Sequence, residues 1–183
     1  MRGERNEHKR KFKVGDTKIT THIPENDPVF QGVMQAAKIL GGNFPGHVGH
    51  IIIRSDEVKD SKEEYIIIDG GAKEKIEYFV NGDCARSDSG VSVIRIFAGS
   101  IKRVFESCLV KFGATKTTLH EIGHSERNMF EHLGFLIDSK RYGTLEEECA
   151  EEFVKHAYNE HHKSKPRLTW RQINESKQNT STE

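Results

Sequence analysis

The chain has 183 residues, with 28 Lys plus Arg balanced by 28 Asp plus Glu, ten His and three Cys. That length suits one domain with a buried core. The balanced charge selects neither nucleic acid nor an anionic membrane as partner, and no apolar run reaches the roughly 18 residues of a membrane span. Cys84, Cys108 and Cys149 show no paired spacing, which argues against a disulfide framework and fits a reducing, cytoplasmic setting. No apolar stretch follows Met1, so no cleavable signal peptide is expected; export as an effector by a route that leaves no such mark is compatible with the same observation.

In chain order, residues 1–24 form a basic segment, densest from Arg2 through Lys13. It reads as a flexible, solvated tail, with contact to a polyanion as the alternative. A domain is expected over 25–163, and a polar, disordered tail over 164–183. Asp27-Pro28-Val29-Phe30 has the N-cap and N1 proline of a helix start, and Gly41-Gly42 closes that helix. Four strand signals follow: His50–Ile53, Tyr65–Ile68, Ile76–Val80 and Val91–Phe97. Lys59-Asp60-Ser61-Lys62, Gly70-Gly71 and Asn81-Gly82-Asp83 separate them as turns. Ile101–Phe112 reads as a helix, with a strand as the other possibility. Together these predict a compact α+β domain with an N-terminal helix and a small, twisted, mostly antiparallel sheet.

The next segment carries the chemistry. His120-Glu121-Ile122-Gly123-His124 places two histidines four residues apart, on one face of a helix and about 6 Å apart along its axis. Two neutral imidazoles so placed can grip one divalent ion, with Zn²⁺ the usual choice, and Glu121 can take a proton from water beside it. Leu119, Ile122, Met129, Phe130 and Leu133 give the helix an apolar stripe, and Gly134 is a natural stop. Gly123 costs such a helix about 1 kcal/mol relative to Ala, which close approach by another backbone would explain.

A catalytic zinc needs a third protein ligand and an open position. His132 lies about 12 Å beyond His124 along the same helix, too far to share an ion. The helix predicted over Leu145–Ala157 offers two i, i+4 carboxylate pairs, Glu147/Glu151 and Glu148/Glu152. In either pair the first could bind metal while the second accepts the other N–H of a ligand histidine and fixes its tautomer. Ala150 would let the two helices approach closely.

His120-Glu121-x-x-His124, followed 23 residues later by Glu147-x-x-Ala150-Glu151, resembles the gluzincin metallopeptidases, including the thermolysin-like and lethal-factor groups. The resemblance covers about 35 residues, His120 to Phe153. It implies a zincin-like domain that cleaves a protein or peptide substrate, with Zn²⁺ on His120, His124 and Glu147. Glu121 would be the general base, and Glu151 would orient a histidine. It also implies a Tyr near the metal to stabilise an oxyanion, for which Tyr142 is the first candidate and His156, Tyr158, His161 and His162 are others. In that family an edge strand beside the cleft holds the substrate, a part that would fall to Val91–Phe97 unless that strand is fully paired inside the sheet. Two other readings compete: a peptide deformylase-like amidase, which would need a Cys ligand such as Cys84, and a non-catalytic metal-binding or regulatory module.

Overall fold

The computed structural model describes residues 9–60, 64–67, 73–86, 90–125 and 139–164. Strands β1 (Arg10–Val14) and β2 (Thr17–Thr21) form a hairpin, followed by α1 (Pro28–Ile39) and β3 (Val48–Arg54). Next come β4 (Glu64–Ile67), β5 (Lys73–Ile76), β6 (Gly82–Arg86) and β7 (Ser92–Phe97). Helices α2 (Ala98–Val104), α3 (Val110–Ser125) and α4 (Ser139–Ser164) complete the α+β fold.

The main sheet has the order β1-β2-β3-β7-β6, and β4-β5 is a separate antiparallel pair. It is mixed, which corrects the expectation of a mostly antiparallel sheet. The pairs β2-β3 and β3-β7 are parallel, and only the outer strands β1 and β6 run antiparallel to their neighbours. For β2-β3 the cause is α1: a helix between them carries the chain back over the sheet and makes parallel pairing possible, while the longer connection through β4, β5 and β6 does the same for β3-β7.

The expectation of a flexible segment through residue 24 is also corrected, because residues 10–21 are two sheet strands. Phe12 and Val14 alternate with Lys11 and Lys13, and Gly15, at φ +58°, makes the two-residue turn with Asp16. Phe12 meets Ile19 across the pair and packs its ring 5.2 Å from Phe30 of α1.

One face of the sheet buries Ile19, Ile51, Ile53, Ile94 and Ile96 with Val29, Val33, Ala114, Leu119 and Ile122 of α1 and α3. The α1 start follows the sequence reading, with Asp27 Oδ1 accepting a hydrogen bond from the Val29 amide at 2.9 Å. Asp27→Ala is expected to lower stability by about 1 kcal/mol through loss of this cap, measured by urea denaturation.

The expected helix over 101–112 is two helices. Phe105 is extended (φ −103°, ψ 140°) and lays its ring on Gly113, where a Cβ would lie 2.6 Å from it, so α2 stops and α3 begins afresh at Val110. The hydroxyl of Ser100, on α2, accepts from the amide of Val58 at 2.8 Å. Residues 58–60 in turn pair with 78–80 (Val80 N to Val58 O, 2.9 Å), which leads directly into β6. A strand was expected over Ile76–Val80; β5 instead ends at Ile76, and Phe79 makes only an isolated bridge to Lys59.

Candidate metal centre

Helix α3 lies between the sheet, α1 and α4, and its buried positions wrap well around it. Its side toward α4 carries His120 and His124. Their Nε2 atoms are 3.0 Å apart and their rings meet edge-on at 85°. Two imidazole nitrogens so close need a shared proton or a shared cation between them. Glu147 of α4 supplies the third corner, with Oε2 3.1 Å from His120 Nε2 and Oε1 3.5 Å from His124 Nε2. Donors bound tetrahedrally to zinc at 2.0–2.1 Å stand about 3.3 Å from one another. The three side chains match that spacing and could hold a metal ion. The histidine side chains are 18% and 13% exposed but that of Glu147 is 64% exposed, so the site opens to solvent on one side.

The glycine inside the motif brings α4 this close. A Cβ on Gly123 would lie 2.8 Å from Ala150 Cα and 3.1 Å from Ala150 O. The two backbones touch there, as the Gly123 and Ala150 positions predict. Glu147, about one turn before Ala150, and Glu151, the residue after it, reach His120 from both ends of its ring. Glu151 Oε1 lies 3.3 Å from His120 Nδ1, in ion-pair range but outside well-formed hydrogen-bond geometry, and 3.3 Å from Lys116 Nζ. Lys116, one turn before His120, therefore holds the carboxylate that faces the ring. Glu148, the competing ligand, is exposed and outside the cluster. It stands beside Cys149, whose thiol is pushed up by burial first and then by the charges of Glu148 and Glu152.

Glu121 is 7% exposed and lines the cleft on the side of the sheet, next to the cluster. Its neighbour is the edge strand β6. A Cβ on Gly82 would lie 2.9 Å from Thr117 Cγ2 and 3.0 Å from Glu121 Cγ, so only glycine lets β6 lie this close to α3. The cleft between them has two lobes. One, of about 490 Å³, is bounded by Gly82, Asp83 and Cys84. The other, of about 440 Å³, is bounded by Phe79, Val80, Phe105 and Lys116. His120, Glu121 and Glu147 line both, so the histidine–glutamate cluster sits where the lobes meet.

No protein-family model, curated protein or solved structure matches this chain.

The structure thus brings together His120, Glu121, His124, Glu147 and Glu151 as the sequence places them. Tyr142 falls in α4 by its backbone, and its side chain lies outside the described residues, as do His132, Met129, Phe130, Leu133 and Gly134. His156 is exposed and lines neither lobe. Tyr158 and His162 stack together, and with His161 they line a separate groove against Phe112. Cys84 lines the cleft but does not belong to the cluster.

Of the two readings of Val91–Phe97, edge strand or strand paired inside the sheet, the structure has the second. Strand β7 is paired on both sides, and β6 is the strand beside the cleft. Gly-Asp-Cys-Ala-Arg has almost no strand propensity and reads as part of a turn. A glycine at its start, where backbone must pass close to a helix, was the available signal. Lys116 was missed too; its place one turn before His120 was the cue.

Proposed function

We propose that the protein is a zinc-dependent metallopeptidase with a gluzincin arrangement, acting on an extended segment of a protein or peptide. The observation that carries this reading is the meeting of His120 Nε2 and His124 Nε2, 3.0 Å apart, with the Glu147 carboxylate, whose Oε2 lies 3.1 Å from the first and whose Oε1 lies 3.5 Å from the second, open on one side and flanked by Glu121. His120, His124 and Glu147 would hold the ion. Zinc supplies Lewis acidity there, acidifying water and polarising a carbonyl.

The chain's own residues perform the remaining steps. Glu121 takes a proton from water and delivers it to the leaving nitrogen, so one carboxylate serves as base and then as acid. Glu151, held by Lys116, orients His120 with Nε2 toward the cluster. Strand β6 has no described strand on its outer side, so a peptide can pair there as an added strand and lie across both lobes.

A purely structural site would close its fourth position with a protein ligand. Among the described residues the candidate cluster has three members and none completes it, which favours the catalytic reading over the binding module.

Elemental analysis of the wild type, Glu147→Ala and Glu148→Ala tests this. About one zinc per chain is expected in the wild type and in Glu148→Ala, with Glu147→Ala losing it. A wild type that takes up no zinc after metal is added back would sink the proposal.

A further inference from the structure

The face of the sheet turned away from α1 and α3 carries a second concavity, of about 630 Å³, with no carboxylate in its lining. Strand alternation puts Lys11, Lys13, Lys18, Thr20 and His50 on this face, opposite the buried Ile19 and Ile51. Register then lines them up. Lys13 stands directly across from Lys18, and Lys18 across from His50, giving one lateral row over β1, β2 and β3. Lys9 lies at its margin. Among the described residues none of these four lysines is paired with a carboxylate.

Like charges directly opposite one another in a sheet are destabilising, so the Lys13–Lys18 pair is a cost that no carboxylate among the described residues offsets. Edge lysines protect a sheet from pairing with another, but Lys18 belongs to the second strand, where that purpose does not apply. The row also carries directional groups: Thr20 Oγ1 and His50 Nε2 are hydrogen-bonded at 2.8 Å. His50 is held below the ordinary histidine value by burial first, then by the charges of Lys18 and Lys9.

We propose that this concavity binds a compact polyphosphate, an anion with two or three linked phosphates, either free or as a lipid headgroup. Dimensions favour that occupant. Three strands span about 10 Å, and Lys11 to Lys13 about 7 Å, which suits clustered multivalent charge. Along an extended acidic peptide, by contrast, side chains on one face are about 7 Å apart and carry one charge each. Lysine is a phosphate binder of the point-charge type, and a hydroxyl and an imidazole add directed contacts. Nucleic acid is disfavoured because the two rings in the lining are already engaged, Phe12 against Phe30 at 5.2 Å and His50 in its hydrogen bond to Thr20, which leaves no stacking platform for successive bases. The proposal does not rest on the metal centre.

Isothermal titration of the full chain with inorganic tripolyphosphate is the test, with circular dichroism to verify folding. The wild type is expected to bind saturably. Lys11→Gln/Lys13→Gln/Lys18→Gln should weaken binding by about tenfold or more, while Lys38→Gln, on exposed α1 surface, leaves it unchanged. Lys18→Gln alone should give a partial loss and covers the case of a misfolded triple variant. Vesicles distinguish the source. Retention on phosphoinositide bisphosphate but not on phosphatidylserine vesicles of equal charge assigns a headgroup, and retention on neither assigns a free anion. The proposal is overturned by absence of saturable binding at low salt, or by equal binding in the triple variant. Hexaglutamate binding as tightly as tripolyphosphate, or equal retention on both vesicles, would also overturn it. So would loss of binding in His120→Ala/His124→Ala, which would place the anion in the cleft.

Discussion

Replacing Glu121 by Gln is expected to leave zinc binding intact and to lower peptide turnover by about 10²–10⁴-fold. The substitution changes almost nothing but the ability to take a proton. Gln has nearly the shape of Glu, so the close approach of the side chain to Gly82 survives. It is not one of the three clustered ligand candidates, so metal content should stay with the wild type. An amide cannot serve as the base. Because a proton in transfer belongs to the transition state, kcat and kcat/KM should fall together while KM holds. The measurement is turnover of a peptide selected from a library, with zinc determined on the same samples. Turnover within about tenfold of wild type would show that another group is the base. Turnover lost together with zinc would mean that Glu121 supports the cluster.

The second large effect concerns Gly123. Adding one methyl group there, as Ala, should cut zinc affinity by about tenfold or more while changing stability by less than about 2 kcal/mol. The two readouts separate for a physical reason. Alanine is favoured over glycine within a helix by about 1 kcal/mol, which offsets much of the cost of overpacking. The candidate metal cluster receives no such compensation. The new Cβ would lie 2.8 Å from Ala150 Cα and 3.1 Å from its carbonyl oxygen, so it meets backbone that can yield only by moving α4 as a unit. Glu147 and Glu151 ride on α4, and both would draw back from His120. Ala150→Gly should not rescue the variant, since the closest contact is to Cα and remains. Rescue would show that the Cβ of Ala150, 3.2 Å away, sets the spacing instead. Competition with a zinc-binding dye gives the affinity, and urea denaturation gives the stability.

This contact also shows what the sequence makes legible. Gly123, an apparent defect in a helix, implied a neighbouring backbone, and Ala150 identified which one. Both inferences are local: a periodicity, a spacing and a missing side chain suffice. The start of α1 was legible in the same way, through Asp27 and Pro28, and so was its end, where Gly41 and Gly42 adopt φ +88° and +100°.

Pairing was not legible. Nothing within Gly82–Arg86 asks to be a strand; it becomes one because β7 offers Ser92–Ile96 as an antiparallel partner. The hydrophobic run Ile76–Val80 asked for a strand and received a single bridge, because its partner, residues 58–60, is pinned to α2. The β1–β2 hairpin was legible and overlooked. Its lysines drew the eye to charge, while Lys-Phe-Lys-Val before Gly-Asp is a period-two pattern closed by a two-residue turn. Whether Glu147 or Glu148 faced the histidines was beyond sequence, since a rotation of about 100° along one helix decides it.

The sheet's two margins are unlike, and the difference bears on how copies of this chain would meet. At one margin β1 carries Arg10, Lys11 and Lys13, whose mutual repulsion discourages a second β1 from docking alongside. At the other, β6 is small and carries a single acidic residue, Asp83, engaged by Arg95 at 2.6 Å. With no described strand on its outer side, the β6 margin is open to another copy of itself. Crowded chains would meet first through β6, and each such encounter would cover the cleft of both participants. Rising concentration would thus act as a reversible brake on whatever the cleft does, and the five-residue length of β6 keeps that embrace weak.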